Sequence, residues 1–508
     1  MSYLLGIDIG TSGTKALLID AANGAVKTSA TTEYPMSTPQ PLWAEQNPAD
    51  WWAATVSSIR SVLRGERIQV NQIIGIGLTG QMHGLVLLDK FGRVLRPCIM
   101  WNDQRTAAQC ATITEKIGAR KLLDWIANPV LPGFTAPKIL WVRENEPQVY
   151  SEIAHILLPK DYVRYRLSGV FATEVSDASG TALFDVRQRC WSAEMLASLD
   201  IPRSWLPESF ESPIVSAKVS ADAASETGLI EGTPIVGGGG DQAAQAIGAG
   251  IIRSGIISAT LGTSGVVFAA TEKFSVEPEG RLHTFCHAVP GQWHWMGVML
   301  SAAGSFRWFR DALGQDAVTQ ARANGNDAYE VLTDLASTAS AGSEGLIFLP
   351  YLSGERMPYV DPDARGVYFG LTLRHTKAHL VRAVLEGVAY GLRDSLELMR
   401  GMGLYITQVR ASGGGARSAL WRQILADVFD SEIALANVTE GAAYGAALLA
   451  GVGVGVYQDV AEACAHTAGV TDPIEPSADA QKYAASYPIY RALYPALAPC
   501  FKQLSAID

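Results

Sequence analysis

The chain has 508 residues, of which 48% are hydrophobic and 18% charged, and its formal net charge is −10. This length exceeds one ordinary hydrophobic core, so two large domains are expected, and the globular composition excludes wholesale disorder. The acidic balance argues against a nucleic-acid scaffold, which would usually carry a basic face.

Neither the cysteines nor the apolar segments indicate a secreted or membrane protein. The six cysteines are scattered without a CxxC pair, which is typical of reduced thiols in a cytoplasmic protein. The N-terminal "MSYLLGIDIG" lacks a basic region and is interrupted by Asp8, unlike a signal peptide. Residues 441–457 are mostly Gly and Ala, which predicts a close-packed helix running into a loop rather than a membrane span.

The first hundred residues alternate between strand and helix signals. The pattern of "YLLGIDIG", a small polar turn and "TKALLID" predicts two strands joined by a tight turn, and "ANG" at 22–24 turns toward a third. Asn47 as N-cap and Pro48 at the first helical position predict a helix through "ADWWAATVSSIRSVL". Residues 72–80 predict another strand, and residues 83–95 predict a strand, a turn and a further strand.

The tetrapeptide Gly-Thr-Ser-Gly of the first turn occurs again at Gly262, between the apolar run of residues 255–261 and "VVFAA". Both copies therefore predict a strand–GTSG–strand unit. Further on, residues 376–399 carry an apolar stripe at helical spacing, and residues 408–429 predict a strand, a glycine loop and a helix. We place a domain boundary near 248–254, giving domains 1–249 and 250–508.

The first GTSG turn is a candidate phosphate loop. The chain has no GxxxxGK[ST] motif, so a P-loop NTPase is not supported. In "GTSGTK", however, Thr11, Ser12 and Thr14 supply donors, Lys15 adds positive charge, and the glycines allow close approach of the backbone to an anion. An ordinary hairpin turn is the alternative interpretation.

Asp8 lies within the apolar first strand, just before this turn. A carboxylate there is costly unless it is used, and beside a phosphate loop Mg²⁺ is its natural partner. A structural aspartate that caps the turn is the alternative.

Residues 233–250, "TPIVGGGGDQAAQAIGAG", contain a second candidate carboxylate. Asp241 follows four glycines and opens a helix, where an aspartate would also suit a simple N-cap. The glycines leave room for a substrate hydroxyl to approach the side chain, so we interpret Asp241 as a general base.

Weaker signals lie elsewhere in the chain. "SGGGARS" at 412–418 is a glycine loop between strand and helix, and His83 and Trp101 introduce polar residues after strand ends. "HTFCH" at 283–287 has metal-like spacing but no further ligands nearby, so we interpret it as packing.

Taken together, these motifs resemble the sugar kinase/heat-shock ATPase/actin superfamily, and within it the FGGY carbohydrate kinases over nearly the full length. The resemblance is carried by "GIDIGTSGTK", "WNDQRT", "GGGGDQAAQAIG", "ATLGTSGV", "GLIFLPYLSGERMPYVDPDARGVYFGLT", "RAVLEGVAYGLRD" and "SGGGARS". It implies an α/β fold of two RNase H-like domains, with ATP bound in the cleft between them.

The resemblance also implies roles for individual residues. Asp241 would be the catalytic base, and Asp8 would serve metal and phosphate. The residues that contact the sugar would be Met82, His83, Trp101, Asn102, Asp103 and Gln242. The nucleotide contacts would be Thr11, Ser12 and Lys15 in the first turn, Gly262 and Thr263 in the second, and Gly304, Gly414 and Gly415.

Other stretches, among them "PLWAEQNPADWW", "GQMHG" and "LLPKDYVRYRLSG", resemble the bacterial xylulose kinases within this family. They imply phosphorylation of D-xylulose to D-xylulose 5-phosphate with ATP and Mg²⁺, by a cytoplasmic enzyme that binds neither nucleic acid nor membrane. A homodimer is a candidate assembly.

Two alternatives to this function stay open. Glycerol kinases carry an Arg-Glu pair at Met82 and His83, which argues against glycerol, but Gln242 replaces the Asn usual in xylulose kinases. Another ketopentose, a polyol or a sugar acid is therefore the rival substrate. An ATP-driven conformational protein is the rival from another class.

Overall fold

Two mixed sheets of seven strands each, one in either half of the chain, organise the fold. They are seen in a computed structural model that describes residues 1–65, 68–436, 441–467 and 469–507.

The strands are β1 (Tyr3–Ile9), β2 (Gly13–Asp20), β3 (Val26–Glu33), β4 (Glu45–Gln46), β5 (Ile73–Gly80), β6 (Val86–Leu88), β7 (Cys98–Ile99), β8 (His155–Leu157), β9 (Ala172–Glu174), β10 (Phe184–Asp185), β11 (Cys190–Trp191), β12 (Glu208–Phe210), β13 (Val215–Lys218), β14 (Pro234–Val236), β15 (Gly239–Gly240), β16 (Ile256–Leu261), β17 (Gly265–Thr271), β18 (His283–Cys286), β19 (Trp293–Met299), β20 (Ile347–Leu349), β21 (Val367–Phe369), β22 (Gln408–Ser412), β23 (Ile433–Ala436) and β24 (Val470–Ile474).

The helices are α1 (Pro48–Gly65), α2 (Ala107–Ile117), α3 (Ala119–Ile126), α4 (Thr135–Asn145), α5 (Pro147–Ser151), α6 (Pro159–Ser168), α7 (Val175–Ala178), α8 (Ala193–Leu199), α9 (Ala221–Thr227), α10 (Asp241–Gly248), α11 (Ala303–Ala312), α12 (Gln315–Asn324), α13 (Ala328–Ser337), α14 (Lys377–Gly401), α15 (Ala419–Phe429), α16 (Gly441–Gly453), α17 (Val460–Thr467) and α18 (Ala480–Ser505). Among the described residues, no helix combines the length and apolar character needed to cross a bilayer.

The two GTSG turns occupy equivalent places in the two sheets. In the first sheet β1 pairs antiparallel with β2 and parallel with β5, and in the second β16 pairs antiparallel with β17 and parallel with β22. Gly10 closes the first turn by donating its N–H to the Gly13 carbonyl at 3.1 Å. Both predicted strand–GTSG–strand units are thus confirmed, and each turn joins a central strand to its antiparallel neighbour.

Most other predicted elements are also present. The first helix begins at Pro48, and the Asn47 side chain accepts the N–H of Ala49 at 3.1 Å. The helix predicted over 376–399 corresponds to α14, and the strand–loop–helix at 408–429 corresponds to β22 and α15.

The prediction of two strands within residues 83–95 is wrong for the second strand. Only β6 forms, and Val94 makes no more than an isolated bridge to Leu88. The Asp89 carboxylate accepts the N–H groups of Phe91 and Arg93 and also bonds the Arg93 guanidinium. This side chain holds the turn locally, while β6 pairs instead with the distant β8.

Helix α16 is followed by a loop, as predicted, but its packing partners lie in the other half of the chain. It packs against β1, β5 and α10. A Cβ atom added at Gly6 would lie 1.9 Å from the Ala443 carbonyl oxygen, and one at Gly77 would lie 1.8 Å from that of Ala446. The helix therefore rests directly on the backbone of the first sheet. The division into 1–249 and 250–508 stays a prediction.

The halves also share a hydrophobic core at a second place. Phe285 and Met296, from β18 and β19, pack with residues of the 82–206 region. Beside them Asn128 donates to the Thr284 carbonyl at 2.8 Å and accepts the Thr284 N–H at 3.1 Å. The "HTFCH" segment forms part of this buried contact, with His283 and His287 both buried.

Candidate active site

Asp8 and Asp241 come together at the ends of neighbouring strands. Asp8 in β1 is in register with Thr79 of β5, and Gly240, the residue before Asp241, is in register with Gly80. The two carboxylates are close enough that the charge of Asp241 raises the pKa of Asp8. The parallel pairing of β1, β5 and β15 therefore builds a two-carboxylate centre from residues more than two hundred positions apart.

Asp8 is a half-buried acid with one fully enclosed carboxylate oxygen. Burial is the main cause that raises its pKa to about 7, followed by the charge of Asp241, while Lys15 acts in the opposite direction. Its Oδ1 atom is buried and has no hydrogen-bond partner among the described residues. An orphaned carboxylate oxygen beside a second carboxylate suits a divalent cation, which prefers oxygen ligands.

Asp241 is the first residue of α10, and Gly240 rather than Asp241 takes the N-cap position. Its Oδ1 accepts the N–H of Gln242 at 2.7 Å. Burial raises its pKa to about 6, and hydrogen bonds from Gln242 partly offset that rise. The geometry therefore differs from the simple N-cap of the alternative interpretation, and a carboxylate titrating near neutral pH suits a general base.

A buried polar network holds the glycine loop that precedes Asp241. Arg164 donates to the carbonyls of Val236 and Gly237 at 2.7 and 2.6 Å. The Ser176 hydroxyl accepts the Gly240 N–H at 3.0 Å and donates to Glu174 at 2.9 Å. Lys160, Asp161 and Asp177 complete this fully buried cluster. The sequence does not predict that this cluster supports the loop, because no local pattern links its residues to the glycines.

His83 presents a neutral imidazole beside the centre. Its Nδ1 lies 2.6 Å from the Gly180 carbonyl, which can only accept, so Nδ1 carries the hydrogen and Nε2 is left as the acceptor. Burial lowers its pKa to about 3. Its ring stacks on Phe134 at 4.8 Å, and the buried Lys138 donates to the His83 carbonyl at 2.9 Å.

Met82 and Gln242 flank the same place. A Cβ atom added at Gly240 would lie 3.0 Å from the Met82 sulfur, so Met82 packs directly beneath the residue before the base. Gln242 follows Asp241 in the first turn of α10.

The three predicted sugar contacts of the "WND" segment have different surroundings. Trp101 is 37% exposed and donates from its indole to the Thr11 hydroxyl at 3.0 Å. Asp103 is fully buried, pairs with Arg105 and accepts the Ala44 N–H at 2.7 Å. The Asn102 amide nitrogen lies 3.8 Å from the sulfur of Met36. Trp101 thus contacts the first GTSG turn, whereas Asp103 is engaged with Ala44 and Arg105. The sugar contacts of this segment stay a prediction.

The first turn is held by side chains that the motif alone does not reveal. Tyr34 donates its hydroxyl to the Gly10 carbonyl at 2.5 Å, and Gln46 donates to the Thr11 carbonyl at 2.7 Å. Ser12 stays exposed at the tip. The Gly10 and Thr11 carbonyls are engaged by side chains, and the Gly10 N–H is used within the turn. The N–H and hydroxyl groups of Thr11 and Ser12 are the donors left for an anion.

The second turn is capped by the start of α11. The Gly262 carbonyl accepts the Ala303 N–H at 2.9 Å, and the Thr263 carbonyl accepts the N–H groups of Ala302 and Gly304 at 2.9 and 3.1 Å. A Cβ atom at Gly304 would lie 2.8 Å from the Thr263 carbonyl oxygen. Glycine is therefore required at 304 for this close approach.

A pocket of about 400 Å³ opens beside the second turn. Gly414 and Gly415 form one wall, and no atom lies within 4 Å of a Cβ placed at Gly414. Its other lining residues are Ala303, Phe306, Asp327, Tyr329, Glu330, Thr333, Arg417, Ser418 and Trp421. An aromatic-lined cavity at a glycine loop has the size and character of a nucleotide-base site.

The comparisons with known proteins agree with this arrangement. The N-terminal domain model of the FGGY family of carbohydrate kinases matches residues 3–248, and the C-terminal domain model matches residues 257–454. The chain belongs to the FGGY family of carbohydrate kinases. The predicted family and the prediction of an ATP-dependent carbohydrate kinase are thereby confirmed.

Individual FGGY proteins match over nearly the whole chain. The xylulose kinase of Escherichia coli is 40% identical over 97% of this chain and 99% of its own length. The ligand-bound xylulose kinase of Lactobacillus acidophilus superposes with a TM-score of 0.93 at 27% identity, covering 99% and 100% of the two chains. The gluconokinase of Bacillus subtilis is 32% identical over 96% of this chain and 95% of its own. The predicted two-domain α/β sugar kinase fold is confirmed.

Proposed function

We propose that this FGGY kinase transfers the γ-phosphoryl group of ATP to D-xylulose, giving D-xylulose 5-phosphate. The observation that carries the proposal is Asp241, a half-buried carboxylate whose pKa is raised to about 6. Its charge acts on Asp8, and Gly240 just before it packs against Met82. The identity to xylulose kinases over nearly the full length supports the choice of sugar.

Asp241 accepts the proton of the sugar hydroxyl as that oxygen attacks the γ-phosphorus in line. The preceding glycines let the loop pack against neighbouring backbone, where an added Cβ at Gly238 would lie 1.8 Å from the Leu78 carbonyl oxygen. The Arg164–Ser176 network fixes the loop. His83 accepts a second sugar hydroxyl through Nε2, and Met82 packs against the sugar beside it.

The two GTSG turns hold the phosphates from opposite sides, through Thr11, Ser12 and Lys15 in one turn and Gly262 and Thr263 in the other. The base and ribose occupy the pocket at Gly414 and Gly415, and Gly304 lies at the second turn next to the lining residue Ala303. Asp8 would hold Mg²⁺ through its unpartnered oxygen. When bound, the cation neutralises charge on the phosphates during transfer.

We further propose that residues 1–249 bind the sugar and supply the first phosphate loop, while residues 250–508 bind the nucleotide, with α16 packed against the first sheet as a brace. A cytoplasmic location follows from the use of ATP and from six cysteines that are all unpaired.

The test is a panel of sugars read out by ADP release with purified protein and Mg·ATP. We expect the highest kcat/KM with D-xylulose among ketopentoses, pentitols and sugar acids. A higher value with another sugar would replace the substrate while leaving the kinase reaction intact.

Gluconate belongs in that panel, because a gluconokinase is 32% identical to this chain and Gln242 departs from the usual Asn. ATP hydrolysis that is indifferent to every sugar would instead support the conformational ATPase alternative.

A further inference from the structure

The backbone at His83 has a conformation that residues with a side chain rarely adopt. His83 has a φ of 69°, and the Gly84 N–H donates to the Met82 carbonyl at 2.9 Å. A hydrogen bond that spans one residue of positive φ defines the rare form of the γ-turn, which is strained. Strain of this kind persists only where surrounding groups hold it, and it is concentrated at functional sites. Specific contacts must therefore hold His83 in this turn.

The first turn of α4 makes these contacts. The His83 carbonyl accepts two hydrogen bonds from this helix, one from the Thr135 hydroxyl at 3.1 Å and one from the Lys138 ammonium at 2.9 Å. The ring of Phe134, the residue before the helix, stacks on the imidazole with their centroids 4.8 Å apart and their planes inclined by 21°. One short segment, residues 134–138, therefore holds both the main chain and the ring of His83.

Lys138 is fully buried, and its ammonium donates to backbone carbonyls. Besides His83, it donates to the Gly133 carbonyl at 2.8 Å. It forms no ion pair with any residue that the structure describes, and burial lowers its pKa to about 7. A buried cation without a carboxylate partner is costly, and an apolar side chain would serve better if the position only had to be filled. The hold on the two carbonyls accounts for a lysine here.

The remaining contacts set the direction of the imidazole. Nδ1 donates to the Gly180 carbonyl at 2.6 Å, and a Cβ atom added at Gly180 would lie 2.5 Å from the His83 Cε1 atom. The ring is thus confined between the Gly180 backbone and the face of Phe134. His83 is nevertheless partly exposed, and Nε2 is the acceptor left for a ligand. Because the ring extends from the strained residue, relaxing the turn would redirect Nε2.

We propose that Thr135 and Lys138 are positioning residues that hold the strained turn at His83, so that Nε2 meets a hydroxyl of the sugar. This inference rests on the proposed function, in which His83 binds the sugar. Both side chains are buried, so they act through His83 and not by touching the sugar themselves.

The test compares the wild-type enzyme with T135V, T135S and K138M. Valine removes the hydroxyl donor at similar shape, serine keeps it, and methionine replaces the ammonium with an apolar chain of similar length. We expect the KM for D-xylulose to rise about 3- to 10-fold in T135V and about 10- to 100-fold in K138M. The kcat and the KM for ATP should stay within about threefold of wild type, since the lost contact is one of sugar binding. T135S should stay within about twofold.

The same substitutions in an H83G background separate positioning from general packing. Glycine at 83 removes the imidazole and the backbone strain together, so that nothing is left to position. H83G alone should raise the KM for the sugar at least as much as K138M does. Adding T135V or K138M to H83G should then change that KM by less than about twofold.

T227V is the matched control, because Thr227 is also buried and donates its hydroxyl to a backbone carbonyl, that of Ala223, at 2.6 Å. Its kinetics should equal those of wild type. An unchanged sugar KM in folded T135V and K138M, an equal loss in T135S and T135V, or increases that persist in full in H83G would overturn the assignment. A wild-type KM in H83G would overturn it together with the sugar contact of His83.

If K138M does not fold, the comparison of T135V with T135S, each with and without H83G, decides. If another sugar gives the highest kcat/KM, the choice of D-xylulose fails, and the same cycle measured on that sugar still judges Thr135 and Lys138.

Discussion

At the scale of single residues, this kinase keeps two carboxylates where water would normally be excluded. Asp8 and Asp241 each have a pKa raised mainly by burial, to about 7 and about 6. Their folded environments therefore favour the protonated form, although the proposed chemistry needs Asp241 ionised. The site gains a base matched to neutral pH and loses stability in return.

The substitution Asp241→Asn removes the base and keeps the side-chain shape. We expect kcat for the sugar to fall by about 10²–10⁴-fold, while nucleotide affinity changes little. ADP release and calorimetric titration with a non-hydrolysable ATP analogue measure the two effects. D222N is the control, since Asp222 lies in the first turn of α9 and is exposed. Near-normal turnover of D241N would remove Asp241 from the mechanism.

The pH dependence of the reaction follows from the same residue. Because the pKa of Asp241 is raised to about 6, kcat/KM should be constant above about pH 7 and fall tenfold per unit below pH 6. Steady-state rates between pH 5 and 8.5 test this expectation. A kcat/KM that does not change down to pH 5 would contradict it.

The substitution Asp8→Asn should stabilise the protein while it impairs catalysis. The pKa of Asp8 is about 7 in the folded protein against 3.8 in a model peptide, so ionisation above pH 7 opposes folding. We expect the free energy of unfolding at pH 8 to rise by on the order of 1–2 kcal/mol, with little gain at pH 3.5. Thermal melts at both pH values measure this, and an equal shift at both would count against the buried charge as its cause.

At the scale of elements, α16 packs against its neighbours through glycines, whose lack of a side chain lets the backbones approach closely. Gly77 of β5 faces the Ala446 carbonyl, and Gly445 of α16 faces that of Ala244 in α10, where a Cβ atom would lie only 1.8 Å away in each case. Small residues on both partners let backbones touch, so the packing tolerates no added methyl group.

The substitution Gly77→Ala should therefore destabilise the protein by at least about 2 kcal/mol, because neither the strand nor the helix backbone can yield cheaply. G401A is the control: Gly401 ends α14, and no atom lies within 4 Å of its added Cβ. That variant should be neutral or more stable by up to about 1 kcal/mol. Urea unfolding of both variants gives the comparison, and equal stability would contradict the contact.

Local signals made the turns and helix starts predictable, and long-range pairing explains what was missed. Gly10 and Pro48 specify their turn and helix from neighbouring residues alone. Alternation alone predicts the second strand within 83–95, but only the isolated Leu88–Val94 bridge forms there, since β6 pairs with β8, 67 or more positions away in sequence. The roles of Ser176 and Arg164 depend on partners 64 and 72 positions away, and no local sequence pattern records them.

At the scale of the whole molecule, the sheet of the N-terminal half is completed by a helix encoded near the C-terminus. The hydroxyls of Tyr444 and Tyr457 donate to the carbonyls of Gly24 and Ala21 at 3.0 and 2.9 Å. Sequence order and spatial order therefore differ at this point.

A fragment of residues 1–249 should consequently fail to fold alone, because the face of its sheet at Gly6 and Gly77 would lack its cover. We expect strong dye binding, aggregation and no cooperative melt, with recovery of a single melt on co-expression with residues 250–508. A sharp, reversible transition of the isolated fragment would show that α16 is dispensable.

The two GTSG hairpins, β1–β2 and β16–β17, have the same backbone pairing but carry different charged residues. Asp8 and Lys15 of the first correspond to Thr260 and Val267 of the second, where Thr260 bonds the Ser412 hydroxyl at 3.0 Å and Val267 is buried. Two turns with the same charges would let a polyphosphate bind in either direction. With Asp8 and Lys15 at one end only, the proposed mechanism gives the chain of phosphates one favoured polarity, with its terminal phosphorus toward Asp241.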